Sequence, residues 1–490
     1  MDLSHRSSPL PTLLAAWGLT FILVLMVMLG GCQHRPYHAV RADAEGPWVP
    51  VPAVETQISD ERGARRARDY CTVAPEAQSK SKATAAIERT SYEGALLYTL
   101  GFVDVDDQGN FWSEAQVGYV VDQLTRTRAA GEVDAPTLFI VYVPGWTHSS
   151  WACDSHVRNF RRSLEMVAKR ERAEAALAHR APREVKGLYF GWQGHGDFLG
   201  RKAAADRAGR SAGVALLARL GPYLQTLRDD PHSASLLVGQ SLGAAVLNET
   251  VAAHFLTELA EVRGGADKAI VGPASLVVYL NPAFEASRFV PIHTMWEDAI
   301  AAGQIRSEQT TQLIVYQTEG DRAVEDLFPT VVPLSRTGTP PRGGASGPAG
   351  GPLATQVARS AADPNAQFGC VHLDPDEAGP RNAGTPTAFY SRLTGSMPGA
   401  QPRLGADTAK QVVRCGWVDG LPTPGDGRLF RFAYDAGELR AAYGHSDVFN
   451  AALIGWIWDV AASVGGSTAP EGLPKPGGES QLVEVEGAPS

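Results

Sequence analysis

Residues 234–243 read ASLLVGQSLG, and this stretch decides the fold class. Its first half is a short apolar run of the kind found in strands that are buried on both faces of a sheet. A helical pattern begins at Leu242 and continues to about Leu259. The linking segment, 239–243, has the form G-x-S-x-G, in which small residues allow a sharp turn from strand to helix. We therefore predict a strand, a tight turn that exposes Ser241, and a helix.

The same alternation extends in both directions along the chain. Short apolar runs predict further buried strands, and amphipathic stretches between them predict helices. The predicted strands cover residues 137–143, 185–192, 234–238, 274–280, 312–316 and 429–433, and the predicted helices cover 115–130, 157–178, 201–227 and 242–259. Residues 98–112 predict a hairpin with its turn at 106–109. Buried strands separated by helices predict an α/β fold with a mostly parallel central sheet and helices on both faces.

The composition excludes some classes of protein and some kinds of site. The chain has 490 residues, 44 % of them hydrophobic, so it is long enough to bury a sizeable core. A net charge of −9 without a long basic run argues against a nucleic-acid partner. The five cysteines form no C-x-x-C pair and no metal-ligand spacing, so we expect neither a metal nor a cofactor.

The N-terminus has the pattern of an export signal. Arg6 precedes an apolar run over residues 13–29, and the run ends in L-G-G followed by Cys32. This ending resembles the bacterial lipoprotein box, which implies cleavage before Cys32 and acylation of its thiol, for example with palmitate. Gln33 after the cysteine implies, by the same resemblance, an outer-membrane lipoprotein that faces the periplasm. The alternative is a plain transmembrane anchor, for which the run is slightly short.

The remaining sequence divides by composition. Residues 1–31 are the predicted signal peptide, and residues 32–82 are polar and rich in Pro, Ala and Arg, as expected for a flexible tether. Residues 83–464 carry the predicted domain, interrupted by a Gly- and Pro-rich insertion at about 335–366, and residues 465–490 form a predicted disordered tail.

Four cysteines remain beyond the lipoprotein box. An even number in an exported protein suggests two disulfides, with three possible pairings, and four free thiols are the alternative. The cysteines are Cys71, Cys153, Cys370 and Cys415.

Four motifs occur in a fixed order along residues 93–464. They are P-G-W at 144–146, G-Q-S-L-G at 239–243, T-E-G-D at 318–321 and G-H-S-D-V at 444–448. In this order the chain resembles the α/β-hydrolase superfamily, although Pro144 stands where that family usually has a histidine. The resemblance implies that Ser241 is a nucleophile and that the N–H groups of Trp146 and Leu242 form the oxyanion hole.

The resemblance also implies a carboxylate and then a histidine after the serine. Asp321 follows a predicted strand and is the preferred acid; Glu319 is the alternative, and both are otherwise ordinary turn acids. Of the two histidines that follow, His445 precedes the predicted last helix, whereas His372 lies close behind the insertion. His148 precedes the serine and is expected to be a wall or hydrogen-bonding residue.

Three other segments resemble functional motifs less closely. Residues 209–213 repeat the G-x-S-x-G pattern, but no strand precedes them, so Ser211 is not expected to be a nucleophile. Residues 190–194, FGWQG, and 281–284, NPAF, resemble loops at sheet ends in esterase-like proteins. The first is expected to line the pocket, and the second fits either the pocket or the core.

The implied chemistry is acyl transfer through an acyl-enzyme on Ser241, with hydrolysis of a carboxylic ester as the default reaction. The partners are then a small-molecule or lipid acyl ester and, through Cys32, a membrane. A catalytically silent binding protein of the cell envelope and a lipid-directed lipase or acyltransferase are the alternatives.

Overall fold

In a computed structural model, several separate ranges of the chain are described, and most of them belong to the predicted domain. The described residues are 54–58, 86–126, 135–152, 154–306, 309–318, 321, 370–372, 413–415, 430–435, 445, 448–449, 453–454 and 457. The predicted signal peptide with Cys32, the insertion at 335–366 and the tail at 465–490 lie outside these residues. None of the described helices is long and apolar enough to cross a membrane.

The centre of the fold is one sheet of eleven strands in the order β1-β2-β3-β5-β4-β6-β7-β8-β11-β10-β9. Seven consecutive strands, from β3 to β11 in this order, run parallel to one another. The α/β prediction with a mostly parallel sheet is thus confirmed. The strands are β1 (Val54–Ile58), β2 (Ile87–Tyr92), β3 (Ala95–Val105), β4 (Thr137–Val143), β5 (Glu184–Trp192), β6 (Ala234–Gln240), β7 (Leu276–Leu280), β8 (Leu313–Thr318), β9 (Cys370–His372), β10 (Val413–Cys415) and β11 (Phe430–Asp435).

Six α-helices lie between the strands in the described residues from 86 to 318. They are α1 (Glu114–Thr125), α2 (Ser155–Leu177), α3 (Phe198–Ala208), α4 (Val214–Asp229), α5 (Leu242–Arg263) and α6 (Ala286–Ala301). Alternate residues of β4 face opposite layers: Ile140 faces Phe160 and Leu164 of α2, whereas Val141 faces Leu216 of α4 and Val246 of α5. Helices therefore cover both faces, which explains why the central strands are apolar without interruption.

The predicted hairpin at 98–112 was placed wrongly. The structure pairs β2 with β3 in antiparallel fashion, and the chain reverses at Glu93 and Gly94, which both have positive φ, 51° and 79°. Residues 106–109 do form a turn, but beyond it Phe111 makes only an isolated bridge to Val105. Both stretches contain turn-forming residues, but β2 occupies one edge of β3 over residues 95–101 and β5 occupies the other.

Two other predictions need correction. The strand β1 lies within the segment predicted as a flexible tether, and it pairs in parallel with β2. The predicted helix over 201–227 is interrupted by a π-helical turn at Gly209–Gly213. A Cβ on Gly209 would lie 2.4 Å from the Val246 carbonyl oxygen, so this second G-x-S-x-G provides close packing against α5. Ser211 is exposed on that turn.

At the far edge of the sheet, β9 pairs with β10 in antiparallel register. This register places Cys370 directly opposite Cys415. The other two cysteines that remain after the lipoprotein box, Cys71 and Cys153, lie outside the described residues.

Candidate active site

The candidate site lies where the two central strands end side by side. β4 and β6 are adjacent and parallel, with Val143 beside Gly239. After β4 the chain continues to α2 on one face of the sheet, and after β6 it continues to α5 on the other face. The loops therefore separate and leave a crevice at the carboxyl ends of the strands, which is where open α/β sheets bind ligands.

Ser241 occupies a strained turn between β6 and α5. Its backbone has φ 58° and ψ −122°, a conformation that non-glycine residues rarely adopt. A Cβ on Gly239 would lie 2.7 Å from the Gly243 carbonyl oxygen, and one on Gly243 would lie 2.2 Å from the Val143 carbonyl oxygen. Both glycines of the motif are therefore required by the close approach of backbone segments.

The structure brings Ser241, His445 and Asp321 together. Ser241 Oγ lies 2.6 Å from His445 Nε2, and His445 Nδ1 lies 2.9 Å from Asp321 Oδ2. The carboxylate accepts hydrogen bonds only, so Nδ1 carries the proton and Nε2 is left to accept the one on Oγ. Asp321 is fully buried, and Gln317 Nε2 also contacts its Oδ2 at 3.3 Å.

The competing residues are placed elsewhere or are not described. Glu319, the alternative acid, lies outside the described residues. His372 belongs to β9, which is separated from β8 in the sheet by β11 and β10. Among the described residues the carboxylate at the histidine is that of Asp321.

The predicted oxyanion loop packs directly on the serine turn. A Cβ on Gly145 would lie 2.8 Å from the Ser241 Cβ, so the loop backbone is in contact with Ser241. Trp146 follows that glycine, and Leu242 is the first residue of α5. Within the described part of the chain, neither of their N–H groups has a hydrogen-bond partner. The Leu242 N–H follows Ser241 directly, at a helix N-terminus that favours negative charge.

The loop after β5 fixes the oxyanion loop in place. Trp192 Nε1 donates to the Pro144 carbonyl at 2.7 Å, the Thr147 N–H donates to the Gly194 carbonyl at 3.0 Å, and Trp146 Nε1 donates to the Gly196 carbonyl at 2.9 Å. Residues 190–194 were expected to line the pocket, but Trp192 is buried in the core. Its indole N–H orients a backbone carbonyl of the oxyanion loop.

His148 belongs to a polar cluster beside the triad. Its Nδ1 lies 3.0 Å from Asp154 Oδ1, and its ring stacks on that of His156 with 3.4 Å between centroids. His156 Nδ1 contacts the Tyr142 hydroxyl at 2.9 Å. Burial lowers the pKa of His156 well below its usual value, and the neighbouring His148 and His445 lower it further. His148 is thus a hydrogen-bonding residue, which is one of the two roles expected from the sequence.

Sequence reasoning missed two residues that hold the histidine. The side-chain amides of Gln240 and Asn281 both donate to the His445 carbonyl oxygen, at 2.9 Å and 3.3 Å. Gln240 is one of the variable positions in G-x-S-x-G, and Asn281 opens the NPAF segment. Their partner is a backbone atom 205 positions after Gln240 and 164 positions after Asn281, so no local pattern marks it.

The described residues offer little for binding a metal or a buried ligand. No group of three or more His, Cys, Asp or Glu side chains among them is placed to hold a metal ion. A cavity of about 60 Å³ lies between α2 and the sheet, lined almost wholly by apolar side chains. At about 10–15 Å³ for each water, the cavity has room for a few water molecules, but its apolar lining offers them almost no hydrogen-bond partners.

Replacement of Gly243 by alanine tests the close contact at the serine turn. The new Cβ would meet the backbone oxygens of Val143 and Pro144 at 2.2 Å and 2.4 Å. We expect Gly243→Ala to lower the free energy of unfolding by about 2 kcal/mol or more, measured by urea denaturation. Gly221→Ala in α4 is the matched control, because nothing lies within 4 Å of its Cβ. Its effect should stay below about 1 kcal/mol, in the stabilising direction. Equal denaturation midpoints for the two variants would contradict the packing described for the turn.

Comparison with known proteins gave no match. No family model, no curated protein and no solved structure matched the chain.

Proposed function

We propose that this protein is a serine hydrolase with the α/β-hydrolase fold that cleaves carboxylic-ester bonds through an acyl-enzyme on Ser241. The observation that carries the proposal is the hydrogen-bonded chain from Ser241 Oγ to His445 Nε2, and from His445 Nδ1 to Asp321. A serine hydroxyl is a weak nucleophile until a base accepts its proton, and the base must be oriented by an acceptor. The three side chains have the geometry that these roles require.

In the proposed reaction His445 Nε2 takes the proton of Ser241 Oγ as the oxygen attacks the ester carbonyl carbon. The N–H groups of Trp146 and Leu242 stabilise the negative charge on the carbonyl oxygen of the tetrahedral intermediate. His445 then gives its proton to the leaving alcohol, and the acyl group stays on Ser241. Water attacks the acyl-enzyme with His445 again as the base, and release of the acid restores the serine.

The backbone strain at Ser241 supports catalysis over a silent binding role. A residue held in a rare φ/ψ region costs about 1–3 kcal/mol and persists where the surroundings enforce it, most often at functional sites. Here the Ser241 N–H donates to the Leu280 carbonyl at 2.9 Å, and the Ser241 carbonyl accepts from the Ala244 and Ala283 N–H groups. A protein that only presents a surface has no need to hold one hydroxyl against a histidine in this way.

A fluorophosphonate probe tests the nucleophile, because such probes react with activated serines. We expect the wild-type protein to be labelled, Ser241→Ala to take no label, and its kcat for a short-chain acyl ester to fall about 10⁴-fold or more. Ser211→Ala is the matched control, because it removes the exposed serine of the second G-x-S-x-G copy. It should be labelled like the wild type.

The alternatives predict different results in the same experiment. A wild type that takes no label and hydrolyses no short ester would overturn the enzyme proposal in favour of a silent binding protein. Long-chain micellar esters compared with soluble short-chain ones distinguish a lipid-directed lipase from a general esterase. Formation of a new ester when an alcohol acceptor is added would identify an acyltransferase.

We also propose that the enzyme is a lipoprotein, anchored through Cys32 in the outer membrane and facing the periplasm. The support is the sequence of residues 1–33. In a Gram-negative host supplied with labelled palmitate, the wild-type chain should carry the label and fractionate with the outer membrane. Cys32→Ser should lose the label and stay at the size of the uncleaved precursor, whereas Cys71→Ser should behave like the wild type. Labelling of Cys32→Ser would refute the lipid site.

For the exported chain we propose a disulfide between Cys370 and Cys415, whose positions are opposite in the antiparallel pair β9–β10. Directly opposite residues in such a pair have Cα atoms about 4.5–5.5 Å apart, within the roughly 4.4–6.8 Å that a disulfide spans. Peptide mapping without reduction should therefore recover the two cysteines in one cross-linked peptide. Their recovery as free thiols, or each linked to another cysteine, would exclude this pairing.

A further inference from the structure

We propose that Gln240 and Asn281 form an amide clamp that positions His445 against the nucleophile. The inference rests on the proposed function, because it assigns to these two residues the task of holding the catalytic base. Both residues are distant from His445 in the sequence, and the described hydrogen bonds of their side chains to it go to its backbone carbonyl oxygen, which takes no part in the proposed reaction. They act on the backbone of the histidine, and we therefore class them as positioning residues.

Two buried amides converge on one backbone atom. Gln240 Nε2 and Asn281 Nδ2 donate to the His445 carbonyl oxygen at 2.9 Å and 3.3 Å. Both side chains are almost completely excluded from solvent, with residue exposures of 2 % and 0 %. A carbonyl oxygen has two lone pairs, so the two donors satisfy it fully. Buried hydrogen bonds of this kind hold a backbone position more firmly than exposed ones.

The Gln240 side chain also borders the oxyanion loop. A Cβ on Gly145 would lie 2.3 Å from Gln240 Oε1, so the absence of a side chain on Gly145 makes room for this amide. Gln240 thus contacts the loop that carries Trp146, precedes the nucleophile in sequence, and donates to His445. One side chain links the three backbone segments that the proposed reaction uses.

Asn281 is held by the same strands that hold the nucleophile. Its N–H donates to the Tyr316 carbonyl of β8 at 2.8 Å, and the preceding residue, Leu280, accepts from the Ser241 N–H at 2.9 Å. The backbone φ of 46° lies in the left-handed region, which asparagine tolerates better than most residues. The amide of Asn281 is therefore fixed relative to Ser241 through two short backbone hydrogen bonds.

The clamp fixes a histidine that is far in sequence from both Asp321 and Ser241. His445 lies 124 positions after Asp321 and 204 after Ser241, so the intervening chain alone does not fix its distance from either. The Nδ1 bond to Asp321 orients the imidazole ring, and the clamp fixes the backbone from which the ring projects. With both in place, the ring and the backbone of His445 are each held by described hydrogen bonds, and Nε2 lies at the serine.

Isosteric exchange of the amides for carboxyl groups tests the clamp. Gln240→Glu and Asn281→Asp keep the shape of each side chain but remove the N–H donor and, when ionised, repel the carbonyl. A displacement of the base by about 1 Å costs on the order of 100-fold in rate. We expect kcat for a short acyl ester and the rate of fluorophosphonate labelling to fall by about 10- to 100-fold, with KM nearly unchanged.

Gln309→Glu is the matched control for these variants. Gln309 is equally buried, and its Nε2 donates to the backbone carbonyls of Ile270 and Thr310 at 2.8 Å and 2.9 Å, before β8 begins and away from the site. It should lose stability, measured as the urea midpoint, but label at the wild-type rate. Gln240→Met and Asn281→Gly remove the donors without adding charge, and they serve if a carboxyl variant fails to fold.

The outcomes separate this inference from the proposed function. If the wild type is labelled and the folded clamp variants label as fast as Gln309→Glu, the clamp is overturned and the hydrolase proposal stands. If the clamp variants label slowly while Gln309→Glu does not, the positioning role is supported. If the wild type takes no label, the proposed function fails, and the positioning role fails with it.

Discussion

The site depends on a close backbone contact between the start of α5, at Gly243, and the end of β4, at Val143 and Pro144. Gly243 lies so near the Val143 and Pro144 carbonyl oxygens that even a methyl group has no space there. Because β4 and β6 are parallel neighbours, this contact brings the serine turn and the oxyanion loop to the same crevice. The glycine requirement and the strained Ser241 backbone both follow from that proximity.

Support for this contact comes from outside the two strands. Trp192 at the end of β5 orients the Pro144 carbonyl, and Gly194 accepts from the Thr147 N–H. The end of β5 and the loop after it therefore hold the loop that follows β4 in place. On the other side, β7 accepts from the Ser241 N–H through Leu280. The central strands thus carry the candidate nucleophile, and the flanking strands restrict its movement. Precise placement of a few atoms depends on the whole sheet.

Much of this arrangement was predictable, because it follows from local signals. Uninterrupted apolar runs gave β4, β5 and β6 nearly to the residue, and the strand before 239–243 distinguished Ser241 from Ser211. The turn at Glu93 and the π-helical turn at Gly209–Gly213 were missed, because each depends on what packs against it: the pairing of β2 with β3 and the backbone of α5. Gln240 and Asn281 were missed for a related reason, since their shared partner is a backbone carbonyl far along the chain.

Unusual backbone angles concentrate where these constraints meet. Of the five non-glycine residues with positive φ in the described chain, three lie at the site: Thr147, Ser241 and Asn281. Each makes a backbone hydrogen bond to a neighbouring segment through its own N–H. Such bonds compensate for an unfavourable backbone conformation only if the segments that supply them are rigid, as the ends of buried parallel strands are. The proposed chemistry needs this rigidity, because an oxygen poised 2.6 Å from an imidazole nitrogen must stay there while a substrate arrives.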